Sequence, residues 1–362
     1  MTMRILLAGA SGFLGTRLAD RLRASGHDLT RLVRRPATAP DEATWQPSAG
    51  QLDPALLVAA DAVINLAGTG VGDKRWTPGY KSLIRSSRVD TAGTIAHGIR
   101  KLPAEDRPRV LLQGSAVGWY GDTGDREATE EDPAGTGFLS DVCRVWEAAA
   151  RPAEDAGTRV ALLRTGLPLD AEGGLLKPQM PLFRLGAGAK LGGGNQWVPW
   201  ISLVDWLDAT EFLLSRDDLS GPVNLVGPAP VTNADFTKAL GKVLHRPALL
   251  QVPGFALHVA LGEFAGEALR SQRVIPAALN RAGFTFTHPT IEPALAAAVG
   301  AETPPPPTQP GPPRRTQRRL AATGPARCCP AATGPAPPHW PCPTAAGPAP
   351  PHWPRPTAAG PA

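Results

Sequence analysis

Residues 3–8 form a short, mostly apolar run with no alternation of polar and apolar positions, the pattern of a central parallel strand buried on both faces. Glycines follow at Gly9, Gly12 and Gly15. Beyond them Leu14, Leu18 and Leu22 recur every four residues, one stripe of an amphipathic helix that Gly26 is placed to end. The rhythm continues down the chain. Strands are predicted over 28–33, 61–68, 110–114 and 159–164, and helices over 80–102, where Leu83, Val89 and Ile95 carry helical spacing, and over about 137–156. After Gly166 it loosens into a glycine-rich stretch and an aromatic segment, 196–206, expected to shape a pocket wall although its tryptophans are individually better read as core. A helix at about 206–215, a strand at 223–226 and a helix capped by Thr232 or Asn233 follow. Strands alternating with helices predict an α/β fold, a doubly wound parallel sheet whose ligand crevice lies at the C-terminal strand ends.

The first unit is a strand, a glycine turn and a helix, the context that gives a glycine pattern meaning in a Rossmann-type dinucleotide-binding domain. Gly9 lets the chain turn off the strand, Gly12 lets backbone N–H groups approach a pyrophosphate, and Gly15 lets the helix pack close to the sheet. Ser11, Phe13 and Leu14 of the same turn are candidate cofactor contacts, at a helix N-terminus that favours an anion. The second predicted strand ends in Arg34 and Arg35, where an acid would hold the ribose 2′-hydroxyl of NAD. An arginine there can pair with the 2′-phosphate of NADP, so NADP is the expected cofactor and NAD the lesser candidate; the alternative is that both arginines are solvated loop charges. One charge-assisted bond of about 1.5 to 3 kcal/mol would favour NADPH over NADH roughly 10- to 150-fold. The strand 61–68 runs into Asn65, Leu66, Ala67 and Gly68, small residues that leave room for a ligand crossing the sheet.

Composition divides the 362-residue chain in two. From Ala301 onward six arginines face one acid, Glu302, so the body is formally neutral and the basic balance belongs to the tail. That argues against a nucleic-acid-binding body. The tail, 299–362, is proline-rich and repeats GPAPPHWPCPTAA as GPAPPHWPRPTAA, a composition that predicts disorder. His339 and Cys342 lack the spacing of a zinc module, and no metal is expected. Cys143 is the single cysteine of the body, which fits a reducing compartment. No apolar run approaches the roughly 18 residues a membrane span needs, so a soluble, cytoplasmic protein with no membrane or nucleic-acid partner is expected. Three parts follow: 1–165 as the nucleotide-binding domain with segments about 196–227 contributing, 166–298 as a smaller interleaved substrate-binding portion with a small C-terminal domain at about 249–298, and the tail.

With these residues laid out, the chain resembles the extended short-chain dehydrogenase/reductase superfamily. GASGFLG at 9–15 is similar to its glycine signature, NLAG at 65–68 to its third-strand motif, and SAVGWYG at 115–121 to its serine-bearing fourth-strand segment. RWT at 75–77, SRV at 87–89, WEAAA at 146–150, VPW at 198–200 and the segment 252–298 resemble the branch of predicted nucleoside-diphosphate-sugar epimerases with a small C-terminal domain of unknown function. The resemblance covers about residues 3–298. It implies a tyrosine and a lysine four residues later as the acid–base pair of hydride transfer. With Glu147 as register mark those positions hold Leu139 and Cys143, and no lysine lies between Lys101 and Lys177. Ser115 matches the serine that would hold a substrate oxygen, or simply ends a strand. Tyr120 is either a substitute acid or, the favoured alternative, a packing residue near the cofactor. Lys81 and Arg88 face the crevice or belong to a solvated helix face.

The expected function is an NADP(H)-dependent oxidoreductase or epimerase-like enzyme, monomer or homodimer, acting on a small molecule, with sugar nucleotides among the candidate substrates. The competing reading, favoured by the missing pair, is a catalytically inactive dinucleotide-binding sensor.

Overall fold

In the computed structural model, which describes residues 2–300, the N-terminal apolar run is β1 (Arg4–Ala8). Its side chains alternate between two buried layers. Ile5 and Leu7 face α1 (Phe13–Ala24) and a later helix, while Leu6 and Ala8 face Ile95 and Ile99 of a long helix on the other side. Both faces being apolar explains why the strand shows no alternation. Six more strands complete one parallel sheet: β2 (Asp28–Val33), β3 (Glu42–Thr44), β4 (Ala62–Asn65), β5 (Val110–Ala116), β6 (Arg159–Thr165) and β7 (Gly221–Leu225). Their spatial order is β7-β6-β5-β4-β1-β2-β3, with the order reversing beside β1, so the crevice opens where β1 and β4 end.

Helix ends follow local chemistry. Gly26 (φ +80°) closes α1 by donating to the Arg23 carbonyl, while the His27 N–H reaches Leu22. The predicted 80–102 helix is α2 (Pro78–Lys101), capped by Thr77, whose side chain accepts from the Tyr80 N–H. The predicted 137–156 helix is two helices, α3 (Phe138–Ala148) and Arg151–Asp155. Pro152 causes the break: it has no N–H for the Ala148 carbonyl and its ring would collide there. The helix expected from 206 begins at Leu203, because Ser202 caps it by accepting from the Asp205 N–H. Thr232 is the cap of Asn233–Val243.

Residues after 166 are interleaved with the sheet. β7 pairs with β6, while Trp200–Ser202 pairs with Leu167–Asp170 in a separate small sheet. Leu169, Trp200, Phe236, Leu240 and Leu295 form a core of their own. In the aromatic segment Trp200 and Trp206 are fully buried, and a Cβ on Gly227 would stand 2.8 Å from the Trp200 ring. Those two tryptophans are core, and only Trp197 is half-exposed, its indole donating to Asp125. Among the described residues no helix is long and apolar enough to cross a membrane. The tail, its predicted disorder and the His339–Cys342 pair lie outside the described residues.

Candidate functional site

At the end of β1 the glycines have unequal reasons to be glycine. Gly9 has φ +86°, and a Cβ there would lie 2.6 Å from the Leu66 carbonyl carbon. A Cβ on Gly15 would lie 2.1 Å from the Gly9 carbonyl oxygen. Packing therefore forbids a side chain at both. At Gly12 the nearest atom to such a Cβ is the Gly9 oxygen at 3.4 Å, an ordinary contact, and the residue is exposed. Packing within the described residues does not require a glycine at that point. Gly12 is also the N-cap of α1, with no side-chain cap and no acid in the first turn. The first N–H groups of α1 are left without a side-chain cap. Ser11 is exposed beside them. Leu14 packs against the core, and Phe13 lies over Gly173, where a Cβ would meet its ring at 2.2 Å.

At the end of β2 the two arginines separate. Arg35 makes a bidentate pair with Glu42 at 2.8 and 2.7 Å and also donates to Thr38 and the Pro36 carbonyl. The Arg35 guanidinium pulls the Glu42 carboxyl down to about 2, with the Thr38 N–H assisting. Arg34 is exposed and has no side-chain hydrogen bond or ion pair among the described residues. The divider is β3, a three-residue strand without a periodic signal in the sequence, which pairs with β2 and brings Glu42 alongside.

Asn65 to Gly68 build the crevice floor. The Asn65 amide donates to Gln113 Oε1 on β5, and its oxygen accepts from the Ala67 N–H, so this side chain shapes the turn. The Leu66 N–H donates to the Ala8 carbonyl, and the Ala67 carbonyl accepts from Thr91. Gly68 makes room for a protein group: a Cβ there would stand 3.2 Å from Arg88 Cγ and 3.3 Å from its guanidinium carbon.

At the end of β5, Ser115 and Tyr120 belong to one buried network. Ser115 Oγ donates to Glu147 Oε1 at 2.6 Å. Arg164 donates to both Glu147 oxygens, at 2.9 and 3.0 Å, and through Nη1 to the Tyr120 oxygen at 3.0 Å. Tyr120 donates to Asn224 Oδ1 at 2.6 Å. The Arg164 guanidinium stacks 4.0 Å from the Trp119 ring centroid. Glu130 Oε1 accepts from the Asn224 and Ala278 N–H groups, while its Oε2 is buried without a partner. Burial raises the Glu130 carboxyl. Burial also pushes the Tyr120 hydroxyl up to about 12, so it holds its proton at neutral pH. Sequence reasoning missed Arg164, Asn224 and Glu130 as members of this cluster. The available signal was a charged residue closing the apolar run of β6.

Leu139 and Cys143, the register positions of the absent pair, lie on the face of α3 toward this segment. Leu139 Cβ stands 3.3 Å, and the Cys143 sulfur 3.6 Å, from where a Gly118 Cβ would be. Cys143 is buried, its Sγ donating to the Ala116 carbonyl. Burial, with the Glu147 charge, pushes its thiol up to about 12, which rules out a thiolate nucleophile at neutral pH.

Two other arrangements are structural. One cavity, of about 780 Å³, is lined by residues that include Met3, His27 and Arg109. These residues precede or flank the N-terminal ends of the strands, opposite the glycine turn, and the Arg21 and Arg109 in it already have carboxylate partners. Ser202, Asp205 and His288 also meet, but Ser202 donates to Asp205, which further accepts the Thr287 and His288 N–H groups. His288 Nδ1 lies 3.0 Å from Ser202 Oγ, but the serine is buried and directs its proton to Asp205, so the arrangement is a helix cap tied to a loop. Among the described residues no group of three or more His, Cys, Asp or Glu could hold a metal.

A family model described as the NAD dependent epimerase/dehydratase family matches residues 5–165, and one described as a domain of unknown function, DUF1731, matches residues 252–298. Epimerase family protein Mb2239 of Mycobacterium bovis is 46% identical over 296 residues, 82% of this chain and 97% of that relative. The crystal structure of human epimerase family protein SDR39U1 (isoform 2) with NADPH is similar at a TM-score of 0.76 and 31% identity, over 82% of this chain and 99% of that one. The nucleoside-diphosphate sugar epimerase structure from Corynebacterium glutamicum is similar at a TM-score of 0.69 and 34% identity, over 83% of this chain and 59% of that one.

Proposed function

The chain belongs to the NAD dependent epimerase/dehydratase family, and on that premise we propose that it is an NADP(H)-dependent oxidoreductase or epimerase-like enzyme acting on a small or nucleotide-linked alcohol or carbonyl. The observation that carries the cofactor reading is the glycine turn, where Gly12 has no packing reason to be glycine and the N-terminus of α1 has no cap. The donors fit the group: the first N–H groups of α1 would hold the diphosphate, and Arg34 would hold the 2′-phosphate. The relative from human with NADPH supports this choice. The name of the Corynebacterium relative supports a sugar nucleotide as substrate class.

A bound nicotinamide supplies the means to take or give a hydride. The chain's own part is to bind, orient and hold protons. Ser115 is the residue we assign to the reacting oxygen: it ends β5 at the crevice, and Glu147 and Arg164 fix its position. Its hydroxyl must turn from Glu147 to meet a substrate. Tyr120 is sealed and keeps its proton, so it serves by positioning Arg164 through their shared bond. The second reading, an inactive dinucleotide-binding sensor, is favoured by one observation: Leu139 and Cys143 fill the acid–base positions and are packed there.

The test is a fluorescence titration of the full chain with NADPH and NADH, beside Arg34→Ala. NADPH should bind roughly 10- to 150-fold more tightly than NADH, and Arg34→Ala should erase that preference. Equal binding of both nucleotides by the unaltered chain would remove the 2′-phosphate role of Arg34. A substrate panel of aldehydes, ketones and sugar nucleotides then separates enzyme from sensor: no turnover of NADPH with any of them defeats the enzyme reading.

A further inference from the structure

Arg88 projects from α2 against Gly68 of the Asn65–Gly68 turn, and its guanidinium is half used. Nη1 donates to the Thr69 carbonyl at 2.9 Å and to the Ile84 carbonyl at 3.0 Å. Ser87 accepts from the Thr69 N–H at 3.1 Å, so the two neighbours on α2 grip that residue from both sides. The guanidinium lies 5.0 Å from the Trp146 ring centroid, and that ring in turn stands 3.1 Å from where a Gly114 Cβ would be. Arg88 is thus locked in one orientation on the shelf formed by Gly68, Gly114 and Trp146.

Its remaining edge is free. Nε and Nη2 donate to no acceptor among the described residues, and neither is fully sealed from solvent, while the guanidinium carbon lies beside Gly68, 3.3 Å from where a Cβ there would be. No carboxylate pairs with this arginine among the described residues, in contrast to Arg35, Arg164 and Lys81. Burial disfavours its charge and no neighbouring acid offsets that. Nε and Nη2 form a fork whose two parallel N–H groups match two oxygens of a phosphate or carboxylate.

On the dinucleotide reading above, the phosphates of the cofactor already have receivers, the α1 N-terminus and Arg34. We propose that the Nε and Nη2 edge of Arg88 is an oxyanion site for the substrate, taking a phosphate or carboxylate group bidentately. The substrate is then an acid, anchored at Gly68 and laid along the shelf toward the end of β5.

The test uses the full chain saturated with NADPH, titrated calorimetrically with inorganic pyrophosphate and, separately, with malonate; the probe that binds tells phosphate from carboxylate. Arg88→Gln should weaken that binding roughly 10- to 150-fold, the worth of a charge-assisted pair, while leaving NADPH affinity within about twofold. Arg88→Lys, which keeps the charge but not the fork, should fall between and keep the melting temperature. The proposal is overturned if the unaltered chain binds neither probe at millimolar concentration, if Arg88→Gln binds as before, or if the variant loses NADPH as well. Repeating the titration without NADPH decides Arg88 even if the chain binds no dinucleotide, so the two readings fail separately.

Discussion

The two ends of the crevice use polar groups in opposite ways. At the glycine turn the first N–H groups of α1, the exposed Ser11 and the Arg34 guanidinium have no side-chain partners among the described residues. At the end of β5 the strong groups are mostly consumed: Ser115, Glu147, Arg164, Tyr120 and Asn224 satisfy one another, while Glu130 Oε2 and the Trp146 indole Nε1 are buried without a partner among the described residues. Buried polar groups must be paired within the fold, whereas groups at an open edge can wait for a ligand. The first end is therefore prepared for a charged molecule, and the second is first of all a structural clasp joining β5, α3, β6 and β7. Function at that second end has to be won against the fold's own bonds.

The sharpest way to break this comparison is Glu147→Ala. It leaves the Arg164 guanidinium buried without its carboxylate, and breaking a buried pair in this way costs about 3 to 5 kcal/mol. Urea unfolding should show that loss, while Arg34→Ala at the open end should stay within about 0.5 kcal/mol of the unaltered chain. Equal stability of the two variants would mean the clasp is not structural. Next in size is Gly12→Ala. The new methyl meets only an ordinary 3.4 Å contact, so the melting temperature should hold, yet NADPH affinity should fall on the order of tenfold, about 1.4 kcal/mol, because the methyl stands where the diphosphate must approach. Gly15→Ala offers the contrast, since its Cβ would strike the Gly9 oxygen and both stability and binding should drop.

The smallest effect concerns pH and sharpens the division between the two arginines. Glu42 is drawn from its ordinary value of 4.5 down to about 2 by Arg35. A carboxyl with a depressed folded-state value stabilises the fold above its unfolded value, and that contribution disappears as pH falls through the folded one. The melting-temperature difference between the unaltered chain and Glu42→Gln should be constant above about pH 5 and shrink between pH 4.5 and 2. A difference that did not change over that window would dissolve the Arg35–Glu42 pair and return Arg35 to the cofactor.

Legibility follows the same line. The apolar run of β1, the leucine stripe of α1 and the Gly26 stop are local signals, and the structure carries all three. Pro152 carries an equally local signal, the break after α3. The assignment of Arg34 and Arg35 as a pair shows the limit, because β3 brings Glu42 to Arg35 and leaves Arg34 exposed, and three residues are too few to show a period. Arg88 and Gly68 are twenty residues apart, yet the glycine is small because the arginine occupies the space above it.

From sequence alone came the parallel α/β sheet, the glycine turn, the Gly26 stop, the Thr232 cap and the absence of the Tyr and Lys pair, since each depends on spacing along the chain or on residue identity. Tertiary structure alone decided which arginine has a partner, which glycines packing demands, that Ser115 and Tyr120 share one buried network, and that Arg88 keeps one edge free. Those facts depend on which side chains from distant segments meet, and in a sheet whose neighbours are not consecutive in the chain, no local pattern encodes such meetings.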